Sequence, residues 1–195
     1  MSQQTVVLIH GLVSSSLLLR PMARRLRNHG FTTKFWSYLS VRGSIEKHAR
    51  SLIRFIDQQN SDSLHVVGHS MGAIISRRAL LDMPTGRITR LVMLAPPNQG
   101  SHVASRLAPK LGAICPALTE LSDHSESYVN QLGVPNVETG IVEAKSDFVV
   151  RSQSLALPGE SNTPTIAFPG MHSQLLLRRD VADSVAKFLK NGQFE

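Results

Sequence analysis

Ser63-Leu64-His65-Val66-Val67-Gly68-His69-Ser70-Met71-Gly72-Ala73-Ile74-Ile75-Ser76-Arg77-Arg78-Ala79-Leu80-Leu81 is the stretch whose reading decides the fold of this chain. Residues 63–67 form a short apolar run suited to a buried strand, and residues 73–81 contain no Gly or Pro and read as a helix. Between them, Ser70 stands in Gly-x-Ser-x-Gly spacing. A serine on a sharp strand-to-helix turn needs a strained backbone in crowded surroundings, and small residues two positions to either side make room for it. Such a turn lifts the Ser70 hydroxyl above the sheet and leaves free backbone amides at the helix start, two requirements of nucleophilic acyl transfer. The five-residue pattern alone is common; the strand before it and the helix after it give it weight. The bland alternative is a small-residue turn that merely joins two packed elements.

Working outward, strand-like and helix-like segments alternate along the chain. Strands are predicted at 5–9, 31–37, 63–67, 89–94, 137–144 and 165–168. A helix is predicted over 16–29, with Leu18, Leu19, Met22 and Leu26 near one face and Gly30 as its stop. A second spans 44–59, with Ser44 as N-cap and Ala49, Leu52, Ile53 and Ile56 on its buried stripe. Others are predicted at 70–82 and about 175–190. The stretch 100–135 holds helix-like pieces around 103–111 and 118–132 and no convincing strand. This β-α-β alternation implies an α/β domain spanning 1–195, with a mainly parallel sheet of about six strands and helices on both faces. In such sheets ligands bind beyond the carboxyl ends of the strands, so reactive residues should follow strands.

The 195 residues suffice for one domain with a proper core. The lone Cys115 excludes an internal disulfide and a cysteine-based metal cluster. No apolar run reaches transmembrane length, and no signal-peptide pattern opens the chain, so a cytoplasmic protein is expected. The net charge is +7, and fifteen of the 21 basic residues are Arg. They fall in small groups: Arg20, Arg24, Arg25 and Arg27; Arg77 and Arg78; Arg178 and Arg179. No helix-turn-helix, zinc-finger or RNA-binding signature accompanies them, so no nucleic-acid partner is expected. The plain reading is a solvated basic surface; the sharper one is adsorption to an anionic membrane surface.

Serine acyl transfer needs a base, a group that orients the base, and donors for an oxyanion. His172 is the best base, because it lies just beyond the last strand, on the same rim as Ser70. His102 is its rival; His29, His48 and His124 read as surface residues, His65 lies within a strand, and His69 is expected to point away because of the turn. Asp147 is the best orienter, since it follows strand 137–144; Asp123 and Glu143 are weaker rivals. The oxyanion donors should be backbone amides, one from Met71 at the helix start and one from Leu12 in the loop His10-Gly11-Leu12. Gly11 lets that loop fold close, and the His10 ring is expected to pin it.

Val6-Val7-Leu8-Ile9-His10-Gly11-Leu12, Gly68-His69-Ser70-Met71-Gly72-Ala73 and the later Asp147 and His172 resemble the α/β-hydrolase fold, most closely its small lipases and carboxylesterases. The stretch Leu94-Ala95-Pro96-Pro97-Asn98-Gln99-Gly100-Ser101 also resembles the loop that borders the acyl site in that group. The resemblance implies carboxylic ester hydrolysis by a Ser-His-Asp triad without cofactor or metal. It puts His10, Gly11, Pro97 and Asn98 against a small-molecule or lipid ester. Larger members have two extra strands before the His-Gly loop and often a helical cap, so this chain looks like a minimal version. In it, 100–135 would form a small lid or only a pocket wall, with Leu107, Leu111, Ile114, Leu118 and Leu121 lining an acyl groove or packing on the sheet. An acyltransferase or thioesterase on the same triad, or a low-turnover binding module, stays open at this point, as does the oligomeric state.

Overall fold

The computed structural model describes residues 4–61, 63–160 and 162–194. Six strands form one wholly parallel sheet: β1 (Gln4–Ile9), β2 (Thr32–Trp36), β3 (Ser63–His69), β4 (Arg90–Leu94), β5 (Glu138–Ala144) and β6 (Thr165–Phe168), in the order β2-β1-β3-β4-β5-β6. The register is set by β1, whose Ile9 stands beside Trp36 on one side and Gly68 on the other. Seven helices are found among the described residues: α1 (Arg20–Asn28), α2 (Ile45–Asp57), α3 (Met71–Leu81), α4 (His102–Leu111), α5 (Pro116–Glu120), α6 (Tyr128–Gln131) and α7 (Arg179–Asn191).

Strand periodicity divides the core in two. Val6 and Leu8 of β1, with Val67, Val92 and Val142, pack under Leu19, Met22 and Leu26 of the α1 arm and Val181, Val185 and Phe188 of α7. Val7 and Ile9, with Val66, Leu91, Met93 and Ile141, pack under Leu52 and Ile56 of α2 and Ile74 and Ile75 of α3. Both faces of β1 and β3 are buried, which is why these strands read as continuous Val/Leu/Ile runs rather than as alternations. The helix-on-both-faces architecture follows directly.

Some boundaries differ from expectation. The first helix opens as a 3₁₀ turn, Ser16–Leu19, and becomes α-helical at Arg20, because Pro21 lacks an amide hydrogen and suits a first turn. Ser44 caps α2 as expected, its hydroxyl accepting from the Lys47 amide. The helix expected over 118–132 is two short ones, α5 and α6. The chain between them leaves the helix at Ser122 and Asp123: Ser122 forms a bridge with Ser101, and the Asp123 amide donates to Ser105 Oγ of α4, 2.8 Å away. The last helix starts at Arg179, after a separate turn at Gln174–Leu176. In the segment 100–135, Leu118 and Leu121 are core residues while Leu107, Leu111 and Ile114 are exposed. Among the described residues, no helix is long and apolar enough to cross a membrane.

Candidate active site

Ser70 sits where β3 becomes α3, with φ 53° and ψ −124°. A non-glycine residue held at positive φ is strained, and the surroundings that hold it are visible. The Ser70 amide donates to the Leu94 carbonyl, 2.9 Å away on β4, and the Ser70 carbonyl accepts from Ala73 N at 2.9 Å. A Cβ on Gly68 would come within 2.6 Å of Ala73 Cα, and one on Gly72 within 2.5 Å of the His10 carbonyl oxygen. No side chain fits at either position, so the glycine spacing is a steric requirement of this turn.

The His10–Val13 loop lies directly against it. A Cβ on Gly11 would stand 2.9 Å from Ser70 Cβ. His10 is buried; its Nδ1–H donates to the Gly11 carbonyl at 2.9 Å, and its ring stacks on Tyr38 at 4.5 Å. The Tyr38 hydroxyl donates to the His10 carbonyl at 2.8 Å, and the Val13 amide donates to Ser40 Oγ at 3.1 Å. Burial holds the His10 imidazole below its usual basicity, only partly offset by its bond to Gly11, which keeps the ring neutral and pinned. The amides of Leu12 and Met71 donate to no backbone acceptor among the described residues. Met71 opens α3, where helix amides have no intrahelical partner.

Asp147 and His172 meet across the loops that follow β5 and β6. The two loops are laced together: Lys145 N donates to the Phe168 carbonyl at 2.9 Å and Ser146 N to the Gly170 carbonyl at 3.1 Å. His172 Nδ1 donates to Asp147 Oδ2 at 2.6 Å, and Asp147 Oδ1 accepts from the amides of Val149 (2.8 Å) and Val150 (2.9 Å). Their side chains are 12% and 5% exposed. Burial pushes the Asp147 carboxyl up. The hydrogen bond and charge of His172 and the two amides outweigh it, so the group stays below the ordinary carboxylate range. With Nδ1 bonded to the carboxylate, Nε2 is left to act as the base. Ser70 Oγ makes no hydrogen bond among the described residues; in unliganded sites the nucleophile–base bond is often long and closes on substrate binding.

His69 differs from expectation. It is fully buried beside His172: the ring centroids are 4.8 Å apart and Nε2–H donates to the His172 carbonyl at 3.2 Å. β3 continues through His69, and its period of two puts His69 on the face of His65 and Val67, toward the β6 loop. Counting that period from Val67 is the signal that finds it. Asn98 is a correction. It is wholly buried, its Nδ2 donates to the Leu155 carbonyl at 2.7 Å and its Oδ1 accepts from Arg77, so its side chain does not face a substrate. Pro97 is buried as well. Arg77 is not surface charge either: it is 0% exposed, and its guanidinium donates to the carbonyls of Gly133, Asn98 and Leu132. His48, read as a surface residue, is buried against Tyr38 at 4.6 Å. His102 opens α4 and bonds to neither Ser70 nor Asp147 among the described residues. No three His, Cys, Asp or Glu side chains gather as a metal site among the described residues.

A family model described as alpha/beta hydrolase fold matches residues 4–120, more than half of the chain. Two curated relatives, both named "Putative esterase/lipase 3", come from Mycoplasma pneumoniae (26% identical over 101 residues, 49% of this chain) and Mycoplasma genitalium (26% over 100 residues, 48% of this chain). The match spans 37% of the length of either relative. Among solved structures, lipase BlEst2 from Bacillus licheniformis superposes with a TM-score of 0.73 at 15% identity, covering 98% of this chain and 93% of that one. A metagenomic carboxyl esterase gives 0.74 at 15% identity (97% and 76%), and the Pyrococcus furiosus esterase Pf2001 gives 0.68 at 16% (100% and 84%). At these identities the structural likeness establishes the fold alone.

Proposed function

The chain belongs to the alpha/beta hydrolase fold family, and from that premise we propose that it is a serine hydrolase that cleaves carboxylic esters through Ser70, His172 and Asp147. Ser70 Oγ attacks the ester carbonyl carbon while His172 Nε2 takes its proton. The Leu12 and Met71 amides receive the negative oxygen of the tetrahedral intermediate. His172 then returns the proton to the leaving alkoxide, and an acyl-Ser70 ester remains. Water, deprotonated by the same imidazole, releases the acid and regenerates the serine. Asp147 stays ionised throughout and stabilises the imidazolium.

One observation carries this reading: the 2.6 Å bond from His172 Nδ1 to a buried carboxylate whose other oxygen is held by two amides. It supports a fixed tautomer with Nε2 free, on the same rim as a strained serine. The esterase/lipase names of the Mycoplasma relatives support the substrate class. The segment 100–135 serves as a wall of the acyl site in this reading, and the basic surface serves to adsorb the protein at an anionic lipid interface.

The test is labelling with a fluorophosphonate, alongside turnover of p-nitrophenyl esters of graded chain length. Labelling is expected to vanish in Ser70→Ala and to fall sharply in His172→Ala. Turnover that survives His172→Ala but not His102→Ala overturns the assignment of the base.

A further inference from the structure

Two arginine groups that are more than 150 residues apart in sequence meet in the fold. α1 and α7 pack side by side on one face of the sheet, and between them runs an open groove of about 830 Å³. Its walls include Arg20, Arg24, Arg25, Arg179, His29 and Asp183, and none of its residues belongs to the candidate active site. Four guanidiniums face one carboxylate, and that carboxylate is already engaged: Asp183 Oδ1 lies 2.7 Å from His29 Nε2, and its other oxygen 3.7 Å from Arg179 Nε. Arg25 donates to the Leu177 carbonyl. Arg20 and Arg24, one helical turn apart, have no acidic partner among the described residues. The Arg179 side chain is 84% exposed. Guanidinium forks of this kind match the geometry of phosphate oxygens.

The surroundings indicate which phosphate. Leu17 (58% exposed) and Leu18 (43%) stand in the turn that enters α1, and Leu177 (52%) stands in the turn that leads to α7. Exposed leucines beside unpaired arginines suit an acyl layer beneath phosphate headgroups, whereas a nucleic-acid strand offers the leucines nothing apolar to enter. These turns continue the loops that carry Leu12 and His172, and the exposed Val13 and Met171 lie on the same loops. A surface bound here also meets the rim of the candidate active site.

We propose that the α1/α7 groove is the membrane-docking surface of this protein, with Arg20, Arg24 and Arg179 binding the headgroup phosphates of anionic phospholipids and Leu17, Leu18 and Leu177 entering the acyl boundary. The proposal deepens the adsorption reading given above and rests on it, but not on turnover.

The experiment is therefore a binding assay in a Ser70→Ala background: co-sedimentation with vesicles of phosphatidylcholine alone, or with phosphatidylglycerol mixed in. Binding is expected only to the anionic vesicles and should weaken with salt. Arg20→Gln/Arg24→Gln should lower the partition coefficient about 30-fold. Lys47→Gln/Arg54→Gln, an equal charge loss on α2 across the sheet, should change it far less. Leu17→Ser/Leu177→Ser should abolish the binding that survives high salt. Equal losses from the two charge pairs would overturn the groove assignment while leaving membrane adsorption intact. No binding to any vesicle would overturn both, and either result leaves ester hydrolysis untouched. Duplex DNA pelleting with the protein in place of vesicles, or full competition by soluble glycerophosphate, would assign the groove to nucleic acid or to a free anion and overturn the proposal.

Discussion

His69 lies against His172, with ring centroids 4.8 Å apart and the His69 Nε2–H donated to the His172 carbonyl at 3.2 Å. The residue before the candidate nucleophile thus holds the backbone of the candidate base. Burial, reinforced by the neighbouring His172, lowers the His69 pKa to about 3, so the ring is a neutral donor at any working pH. His69→Phe keeps the bulk and removes the donor. Because small misplacements of a reacting group cost on the order of 10² in rate, kcat for p-nitrophenyl acetate is expected to fall about that much, with KM nearly unchanged. A purely structural role would instead lower the melting temperature and leave kcat per folded molecule intact.

Asp147→Asn tests the orienting bond. The asparagine Oδ1 can still accept from Val149 and Val150, so the loop should keep its shape. Its amide nitrogen, however, would face the Nδ1–H of His172, donor against donor. The imidazole is expected to change tautomer, carry its hydrogen on Nε2 and lose its function as base. The expected loss in kcat is on the order of 10⁴, measured with the unfolding midpoint as control.

Gly11→Ala separates the oxyanion loop from the fold. The added methyl carbon would stand 2.9 Å from Ser70 Cβ and 3.2 Å from His69 Nδ1, so either the loop or Ser70 must shift. Since losing one oxyanion donor costs about 10²–10³ in rate, kcat should drop by that order if the Leu12 amide is displaced. Activity equal to the parent's would mean that Leu12 N–H is not a donor.

The parallel sheet was legible because its strands are apolar on both faces and are separated by helices with one apolar stripe. Each strand was placed to within two residues. Ser70, Asp147 and His172 could be singled out as candidates because each follows a strand, and the fold brings the last two into contact. What escaped depends on contacts between distant segments. Nothing local in Arg77-Arg78 distinguishes the buried Arg77 from Arg78, which pairs at the surface with Glu46 (2.6 Å) and Asp82 (2.8 Å). The partners of Arg77 are carbonyls at 98, 132 and 133, which come together only in the fold. Asn98 escaped for the same reason, since the carbonyl it serves belongs to Leu155.

Arg77 is accordingly a stability residue. Its guanidinium has no carboxylate partner among the described residues; burial lowers its pKa to about 10, and three carbonyls solvate it. Arg77→Met would leave those carbonyls buried without donors, at about 1–3 kcal/mol each. A loss of about 3–5 kcal/mol in unfolding free energy is expected from urea melts, with residual activity in the folded fraction. A loss below about 1 kcal/mol would mean that water replaces the guanidinium.

Of the buried imidazoles, two contribute most to the acid limit of the fold. Burial, aided by Arg90, lowers the His65 pKa to about 4, and burial with His172 lowers that of His69 to about 3. In the unfolded chain both titrate near 6.5. Between these values the unfolded state binds more protons, so stability is complete above about pH 6.5 and is lost as the pH falls. The slope approaches about 1.4 kcal/mol per pH unit for each group well below pH 6.5, which makes roughly 2 kcal/mol for both between pH 6 and 5. Asp147, held below its usual range, adds to this loss only at lower pH, as it is protonated. Among the described residues His65 Nδ1 has no hydrogen-bond partner and its Nε2 has only a 3.4 Å contact with Ser63 Oγ, so His65→Leu sacrifices little. Urea unfolding at pH 7, 6 and 5 should show a slope for His65→Leu shallower than that of the parent by about 1 kcal/mol per pH unit. Parallel slopes in the two proteins would mean that His65 titrates in the fold as it does in the open chain.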